Sequence, residues 1–473
     1  MVSADEITKP VNPDATIVVL TAPGHSLADG ARATLAQAFA AHPERLALYG
    51  DALVRSRGTI LPVLRPAFDP DYLQAVDYIG PVVAIRRSAL DAVGGLGALD
   101  PQAPAFDALL RFGTAFGGRA IGHLPAVLSR FDGPSRAGTR PAGEGGRDRT
   151  AARLTCVRQN LERAGQADVA TRLGPAGVIT LWRPLPEPPP RVSLIVPTRD
   201  RLDLLRPCLD SLIHRTDWPD REILICDNDS CEPETLAYLA DLTRRGVARV
   251  VPCPGPFDFA AMNNRAAAEA TGRLLAFVNN DVTATDPTWL DRMVREALRP
   301  EIGAVGARLI DGRGRIQHGG VILGPGGLVT HAHRFFPGDA SGYLFGLHAT
   351  RRVSAVTAAC LVVEARKFVD LGGFDAAAFA VDFNDVDLCL RLNAAGHHSL
   401  YVGGAVLTHD EAASRRWTPQ ARARHAREVA AFEKRWGPLL AQDPHYHPGF
   451  DPDLGTYARL RPGWPETGPV TPR

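Results

Sequence analysis

From residue 192 onward, short apolar runs alternate with amphipathic stretches, and this alternation limits the possible folds more than any other feature of the chain. Strands are predicted at 192–196, 222–226, 247–251 and 274–278, and helices at 202–213, 232–244 and 263–270. Short apolar strands separated by helices are typical of a mostly parallel sheet that is covered on both faces. Ligands of such sheets bind beyond the carboxyl ends of the strands.

Two of the predicted strands end in polar side chains. Asp227 follows the second strand, and Asn279, Asn280 and Asp281 follow the fourth. A later acidic run, 382–387, precedes an apolar helical stretch. Sugar transfer from a nucleotide donor needs two acids, and an acid at a strand end together with an acid before a later helix would provide them. One carboxylate holds a metal on the diphosphate, and the other takes a proton from the attacking hydroxyl.

Composition narrows the class of protein. A chain of 473 residues predicts two or three domains, and a net charge of +1 gives no argument for nucleic-acid binding. The seven cysteines form no Cys-x-x-Cys pair, which favours a reducing cytoplasm. The polar N-terminus and the absence of a long apolar run predict a protein without a signal peptide or transmembrane segment. We expect a cytoplasmic location, with peripheral contact at the inner face of the membrane as the alternative.

The domain boundaries are predicted from breaks in composition and from an internal repeat. Residues 133–150 are rich in Gly and Arg, and residues 183–191 are dense in Pro. The predicted divisions are a partial domain at 1–132, a linker with a helical segment at 133–190, a main domain at 191–450 and a tail at 451–473.

The first third of the chain repeats a pattern of the last part. Residues 16–39 parallel 274–298, and residues 78–112 parallel 356–392. The acids are missing from the first copy, since Ala105 stands where the second copy has Asp385. We therefore expect the first third to be half of the same fold without its chemistry, with a role in packing, pairing or acceptor contact.

Eight motifs in order resemble those of family 2 glycosyltransferases. They are VSLIVPTRDR (192–201), ICDNDS (225–230), FVNNDV (277–282), GGVILGPGG (319–327), AVTAACLV (355–362), GGFD (372–375), FNDVDLCLRL (383–392) and HDEAASR (409–415). Among family members, the chain is similar to bacterial enzymes of O-antigen and cell-surface polysaccharide assembly that are described as rhamnosyltransferase-like.

The resemblance implies a GT-A fold, a Rossmann-like α/β architecture, preceded here by a degenerate partial copy. It also implies a nucleotide-diphosphate sugar donor (dTDP-, UDP- or GDP-linked), a divalent metal (Mg²⁺ or Mn²⁺) and inversion at the anomeric carbon. The acceptor implied is a glycan or a lipid-linked glycan at the cell surface, with no role for nucleic acid.

The resemblance also assigns roles to individual residues. Asp281 matches the last acid of the metal-binding Asp-x-Asp motif, in which Asn279 replaces the first acid, and His409 matches a histidine that reaches the metal. Asp385 matches the general base; helix N-capping is its alternative role. The positions that match nucleotide or phosphate contacts are Pro197, Thr198, Asp200, Asp227, Asn264, Asn279, Asn280 and Arg415.

Other polar residues have weaker assignments. Asp387 is interpreted as a structural acid, and Asp382 has no assigned role. His318 and His331 flank a Gly-rich segment that is interpreted as a flexible loop over the acceptor. Two other protein classes are alternatives. The first is a processive synthase, which would need membrane helices. The second is a non-catalytic scaffold, which the acid-free first copy and Asn279 both favour.

Overall fold

The computed structural model describes residues 16–22, 24–56, 59–80, 82–131, 144–410, 417–452, 456–457 and 459–464. Arg415, most of the predicted linker segment at 133–150 and the end of the tail lie outside the described residues. Among the described helices, none combines the length and the apolar character that crossing a membrane requires. All seven cysteines are free thiols.

Residues 17–131 form an N-terminal unit around a six-stranded sheet. Its strands are β1 (Ile17–Leu20), β2 (His25–Leu27), β3 (Ala47–Ser56), β4 (Thr59–Val63), β5 (Val83–Arg86) and β6 (Ile121–Phe131). Its helices are α1 (Ala31–Ala41), α2 (Pro70–Ala75), α3 (Arg87–Ala92) and α4 (Pro104–Phe116). The sheet order is β1-β5-β3-β6-β2, with β4 paired to β3.

The connection to the second unit is more structured than its composition indicates. Helix α5 (Glu144–Arg163) packs against α4, and the hairpin of β7 (Ala170–Leu173) and β8 (Ile179–Trp182) follows it. The helical segment expected within the 133–190 linker corresponds to α5, and Gly165, with a left-handed φ of 71°, follows the end of this helix.

The second unit is built on a ten-stranded sheet. Its strands are β9 (Val192–Thr198), β10 (Arg221–Asp227), β11 (Arg249–Pro252), β12 (Leu274–Val278), β13 (Val282–Ala284), β14 (Ile302–Ile310), β15 (Ile316–His318), β18 (Thr350–Val353), β19 (Cys360–Glu364) and β20 (His398–His409). A separate hairpin consists of β16 (Val321–Leu323) and β17 (Val329–His331). The helices are α6 (Leu202–His214), α7 (Pro233–Arg244), α8 (Phe259–Glu269), α9 (Trp289–Ala297), α10 (Ala365–Asp370), α11 (Asn384–Ala394) and α12 (Pro419–Leu440).

The strands and helices predicted between 192 and 278 are confirmed, but a mostly parallel sheet is wrong for the unit as a whole. Strands β11, β10, β9 and β12 are parallel. Beyond β12 the sheet is mixed, since β19 runs antiparallel to both β12 and β14, whereas β14 and β20 are parallel. The regular strand-helix pattern that predicted parallel pairing ends at β12, and the later strands are joined by hairpins and loops as well as by helices.

The two units share one pairing scheme. The order β1-β5-β3-β6-β2 has the same parallel and antiparallel neighbours as β12-β19-β14-β20-β13. The N-terminal unit has no described counterparts of β9, β10 and β11. The pairing scheme agrees with the internal repeat read from the sequence; the domain boundaries themselves stay a prediction.

Buried charges hold the two units together. Asp71 lies on α2 of the N-terminal unit, and its carboxylate lies 2.7 Å from Arg299 and 2.8 Å from Arg352 of the second unit. Those two arginines hold the pKa of Asp71 well below its usual range, although burial by itself raises it. Segment 443–464 covers the junction, and its Tyr446 and Phe450 pack against Leu64.

Candidate functional site

The candidate site lies at the carboxyl edge of the second sheet, where β9, β10 and β12 end side by side. These strands are almost wholly buried, and the chain becomes polar as each of them leaves the core. Asp227 ends β10, Thr198 ends β9, and Asn279 to Asp281 form the turn between β12 and β13. Side chains that are distant in sequence thus come to one edge.

Asp281 and His409 face each other at this edge. Strand β13 pairs with β20, and the backbone N–H of Asp410 donates to the carbonyl of Asp281 at 3.1 Å. Nε2 of His409 lies 3.2 Å from Oδ1 of Asp281, and the side chains are only 6% and 10% exposed. Within the described part of the chain, Oδ1 of Asp281 and Nδ1 of His409 are buried without a hydrogen-bond partner.

A divalent cation fits these two groups. A carboxylate oxygen and an imidazole nitrogen that lie close together without a hydrogen bond are placed as two ligands of one ion would be. The buried Oδ1 of Asn279 also lacks a hydrogen-bond partner among the described residues and adds a neutral oxygen in the same turn. Few protein ligands at this position would leave coordination sites for phosphate oxygens.

Two residues next to Asp281 join the ends of neighbouring strands. Nδ2 of Asn280 donates to Oγ1 of Thr198 at 3.1 Å. The backbone N–H of Asn279 donates to the carbonyl of Ala359, in the loop that precedes β19. These bonds fix the turn, so that the orientation of Asp281 is determined by three strands.

Of the residues predicted to surround a nucleotide base, Asp227 and Pro197 lie at the strand ends, whereas Asp200 is hydrogen-bonded to the loop before α7. Asp227 is partly exposed at the end of β10, and its Oδ1 accepts from the backbone of Ser230. Pro197 is buried within β9, next to Thr198. The carboxylate of Asp200 instead accepts from the backbone N–H groups of Cys231 and Glu232, just before α7.

The hydrogen bonds of Asp200 decide its role. The slight burial of its carboxylate raises its pKa, but the two backbone N–H bonds outweigh this effect and lower the pKa overall. Oδ1 of Asp200 is therefore committed to holding the loop after β10. Asp200 therefore supports the loop that carries Asp227, and its contact with a nucleotide base stays a prediction.

Asn264 makes hydrogen bonds within the fold, and its nucleotide contact stays a prediction. Its Nδ2 donates to the carbonyl of Phe374 and its Oδ1 accepts from the N–H of the same residue. Gly373 has a φ of 72°, and a Cβ there would lie 2.6 Å from Oδ1 of Asn264. The Gly-Gly-Phe-Asp motif is thus shaped to receive this amide.

Asp385 lies in the first turn of α11, beside the loop that also touches Asn279. Its Oδ2 accepts from the N–H of Ala358 at 2.9 Å, and its Oδ1 accepts from the N–H of Val386 at 2.8 Å. Burial raises the pKa of Asp385 above the usual value for an aspartate, although these hydrogen bonds act in the opposite direction. The helix begins after Phe383, whose φ of 62° turns the chain toward the edge.

Asp387 is buried on the same helix and serves the fold. Its carboxylate lies 2.7 Å from Nε of Arg391 and 2.8 Å from Nη1 of Arg435, and it accepts from the indole N–H of Trp436. Asp382, which had no assigned role, lies 3.0 Å from Nδ1 of His425 on α12. The acidic run therefore separates into Asp385 near the edge and two acids that fix α11 and α12.

His318 and His331 form a buried pair that sequence reasoning did not foresee. Their Nδ1 atoms are 2.7 Å apart, and the segment between them forms the β16–β17 hairpin instead of a flexible loop. Burial lowers the pKa of both imidazoles, and the nearby guanidinium groups of Arg351 (for His318) and Arg334 (for His331) lower it further. The signal available was the short apolar run at 321–323, bounded by glycines on both sides, which is typical of a buried strand.

A second cluster of possible ligands lies away from this edge, at the unit junction. Asp51 accepts from Nε2 of His123 and from Nε2 of His447, at 3.2 and 2.8 Å. Nδ1 of His447 accepts from the N–H of Gly449, so the proton of this imidazole is on Nε2 and points at Asp51. That nitrogen has no lone pair for a metal, and the cluster is a hydrogen-bonded link between segment 443–464 and the N-terminal sheet.

Comparison with known proteins gives a family match within the second unit. Residues 193–335 match the model described as glycosyl transferase family 2. The chain is 34% identical over 443 residues to the uncharacterized protein y4gI of Sinorhizobium fredii, covering 90% of this chain and 48% of that protein. It is 36% identical over 427 residues to the O-antigen biosynthesis protein RfbC of Myxococcus xanthus, covering 89% and 33%. The chain thus spans half or less of the length of these relatives.

Two solved structures superpose on about half of the chain. The mannosyltransferase PcManGT from Pyrobaculum calidifontis, in complex with GDP-Man and Mn²⁺, gives a TM-score of 0.39 at 18% identity, over 55% of this chain and 67% of that one. GalNAc-T7 with UDP, GalNAc and Mn²⁺ gives 0.42 at 15% identity, over 53% and 50%. Both TM-scores are below 0.5.

Proposed function

Because residues 193–335 match the glycosyl transferase family 2 model, we propose that this protein is a metal-dependent inverting glycosyltransferase. It moves a sugar from a nucleotide-diphosphate donor to a growing surface glycan. The observation that carries the proposal is the close pair of Asp281 and His409, two buried groups without hydrogen bonds to each other at the ligand-binding edge of the sheet. The similarity to RfbC, named for O-antigen biosynthesis, supports a surface polysaccharide as the product.

Asp281 and His409 would hold the divalent ion, Mg²⁺ or Mn²⁺, with Asn279 beside them. When bound, the ion supplies positive charge to the departing diphosphate. The nucleotide lies along the ends of β9 and β10, against Thr198 and Asp227. Pro197 supports this wall from within β9, and Asn280 fixes it through its bond to Thr198.

Asp385 is the proposed base. As the acceptor hydroxyl oxygen bonds to the anomeric carbon, its proton passes to the Asp385 carboxylate while the bond from that carbon to the diphosphate oxygen breaks. A single displacement of this kind inverts the anomeric centre. Burial supports the role, because a carboxylate with a raised pKa is a stronger base, and general base catalysis contributes about 10²–10⁴ in rate.

Donor binding can be tested without knowing the acceptor. Thermal unfolding would be followed with UDP, dTDP, GDP and CMP, each with Mn²⁺, with Mg²⁺ and with EDTA. A ligand at ~100 times its Kd stabilises the folded state by about 2.7 kcal/mol. We expect a metal-dependent shift with one diphosphate, absent in Asp281→Ala. A shift with none of them in the wild-type protein would contradict the proposal and favour a non-catalytic scaffold.

Rhamnosyl transfer is the donor specificity we propose first, on the resemblance of the motifs to rhamnosyltransferase-like enzymes. A selective shift with dTDP, followed by transfer of rhamnose to lipid-linked glycans from the source cell, would support it. A selective response to GDP or UDP would replace it with another sugar. The N-terminal unit is proposed to have no transferase activity, since Ala105 stands in the place of Asp385.

A further inference from the structure

A cavity of about 610 Å³ lies between the two units. Helices α2, α4 and α5 form one wall, and residues 299–301, just before β14, form the other with Arg183 and Arg352. Because residues 299–301 precede β14, this wall is at the amino-terminal edge of the second sheet, opposite the edge that carries Asp281. The size is that of a site for a small molecule.

The charged groups around the cavity are arranged in two layers. Arg163, Arg183, Arg299 and Arg352 line it, with side chains 33%, 13%, 13% and 18% exposed. Their partners Asp107 and Glu296 are 0% and 7% exposed and lie behind them, and their partner Asp71, which borders the cavity, is 4% exposed. Only Glu301 presents an exposed carboxylate to the same space. The inner surface therefore presents guanidinium groups, while the carboxylates of Asp71, Asp107 and Glu296 are largely covered and that of Glu301, paired with Arg299, is exposed.

Several N–H groups of these arginines remain available. Arg352 uses Nε for Asp71, and Arg183 uses Nη1 for Gln166. Nε of Arg183 lies 3.5 Å from Oε2 of Glu296, so the N–H groups without a partner among the described residues are those on Nη2 of Arg183 and on both Nη atoms of Arg352. Guanidinium groups held from behind by carboxylates lose little side-chain entropy when they bind an anion, and they match the geometry of phosphate oxygens.

We propose that this cavity is a second ligand site, which binds a small phosphorylated anion. It is independent of the donor site, and since both units form its walls, its ligand favours their docked arrangement. The polar groups of Thr114 and Asn160 add hydrogen-bonding capacity on the wall of α4 and α5.

The test is calorimetric titration of the full chain with inorganic pyrophosphate in EDTA, which removes any divalent ion from the donor site. Saturable binding is expected in the wild type and in Asp281→Ala, and should weaken as salt is raised. Arg183→Gln should weaken it about tenfold or more, which corresponds to about 1.4 kcal/mol. Arg158→Gln, an exposed arginine on α5 outside the cavity, is the matched control and should bind normally.

A second variant tests the cavity independently, in case Arg183→Gln does not fold. Gly113 lines the cavity on α4, and a Cβ there would meet Phe68 at 3.7 Å, an ordinary contact. Gly113→Leu should therefore fold and occupy the space, which would abolish pyrophosphate binding. The proposal is overturned if the wild type does not bind pyrophosphate, if Gly113→Leu binds as well as the wild type, or if binding is lost in Asp281→Ala alone.

Discussion

Nε2 of His409 lies 3.2 Å from Oδ1 of Asp281, and this contact joins the last strand of the second sheet to the turn after β12. The imidazole and the carboxylate thus lie together at the position where the resemblance to family 2 enzymes implies a metal ion. The pairing of β13 with β20 fixes both backbones, so the proposed ligands are preorganised before any ion binds.

Removal of the Asp281 carboxylate should abolish metal-dependent nucleotide binding. In Asp281→Ala, the remaining imidazole and amide offer no anionic ligand, and we expect the thermal shift with nucleotide diphosphate and Mn²⁺ to disappear. Asp220→Ala, at an exposed aspartate, is the control and should keep the shift. An unchanged shift in Asp281→Ala would show that the ion, if required, binds elsewhere.

Asp385→Asn should separate binding from chemistry. The amide keeps the size of the side chain but cannot accept the proton, so we expect transfer to fall by about 10²–10⁴. Nucleotide binding, measured by the same thermal shift, should be retained. In-cell glycan assembly that is unchanged by this variant would support the scaffold alternative.

Asp387 should matter for stability more than for chemistry. Asp387→Ala would leave Arg391 and Arg435 facing a buried position without their carboxylate, which costs about 3–5 kcal/mol when a buried pair loses one partner. Urea unfolding should show the loss, while any folded fraction keeps its turnover per molecule. Loss of turnover with full stability would place Asp387 in the reaction instead.

The rate should depend on the ionisation of Asp385. A base works in its ionised form, so kcat/KM should fall as the pH drops through its pKa. Burial raises that pKa, so the acidic limb should lie above pH 3.8, the ordinary value for an aspartate. The pH profile of kcat/KM checks this, and a limb at or below the ordinary value would contradict the proposed environment.

The contact between the units should depend on Asp71. Asp71→Ala would leave Arg299 and Arg352 without their shared carboxylate, and we expect a loss of about 3–5 kcal/mol in the free energy of unfolding. Asp29→Ala, at a carboxylate that is 92% exposed, should change it by less than about 0.5 kcal/mol. Equal effects of the two variants would argue against a docking role.

The sequence was informative where local patterns decide structure. The strands around Asp227 and Asp281 were predictable because apolar runs ended in polar turns. The antiparallel position of β19 was not, since strand direction in a mixed sheet depends on long connections that carry no local signal. The structural hydrogen bonds of Asp200 and Asn264 were not predictable for the same reason: their partners lie 31 and 110 residues away along the chain.

Asp107 and Arg111 on α4 form the same ion pair as Asp387 and Arg391 on α11, and both arginines also hold the carbonyls of a nearby glycine-containing turn. The position two residues before each acid differs, with Ala105 in one unit and Asp385 in the other. The two units of one protein thus allow a comparison that usually needs two homologous proteins. The acid present in both units, Asp107 or Asp387, supports the fold, and the acid present in only one unit, Asp385, is the candidate for chemistry.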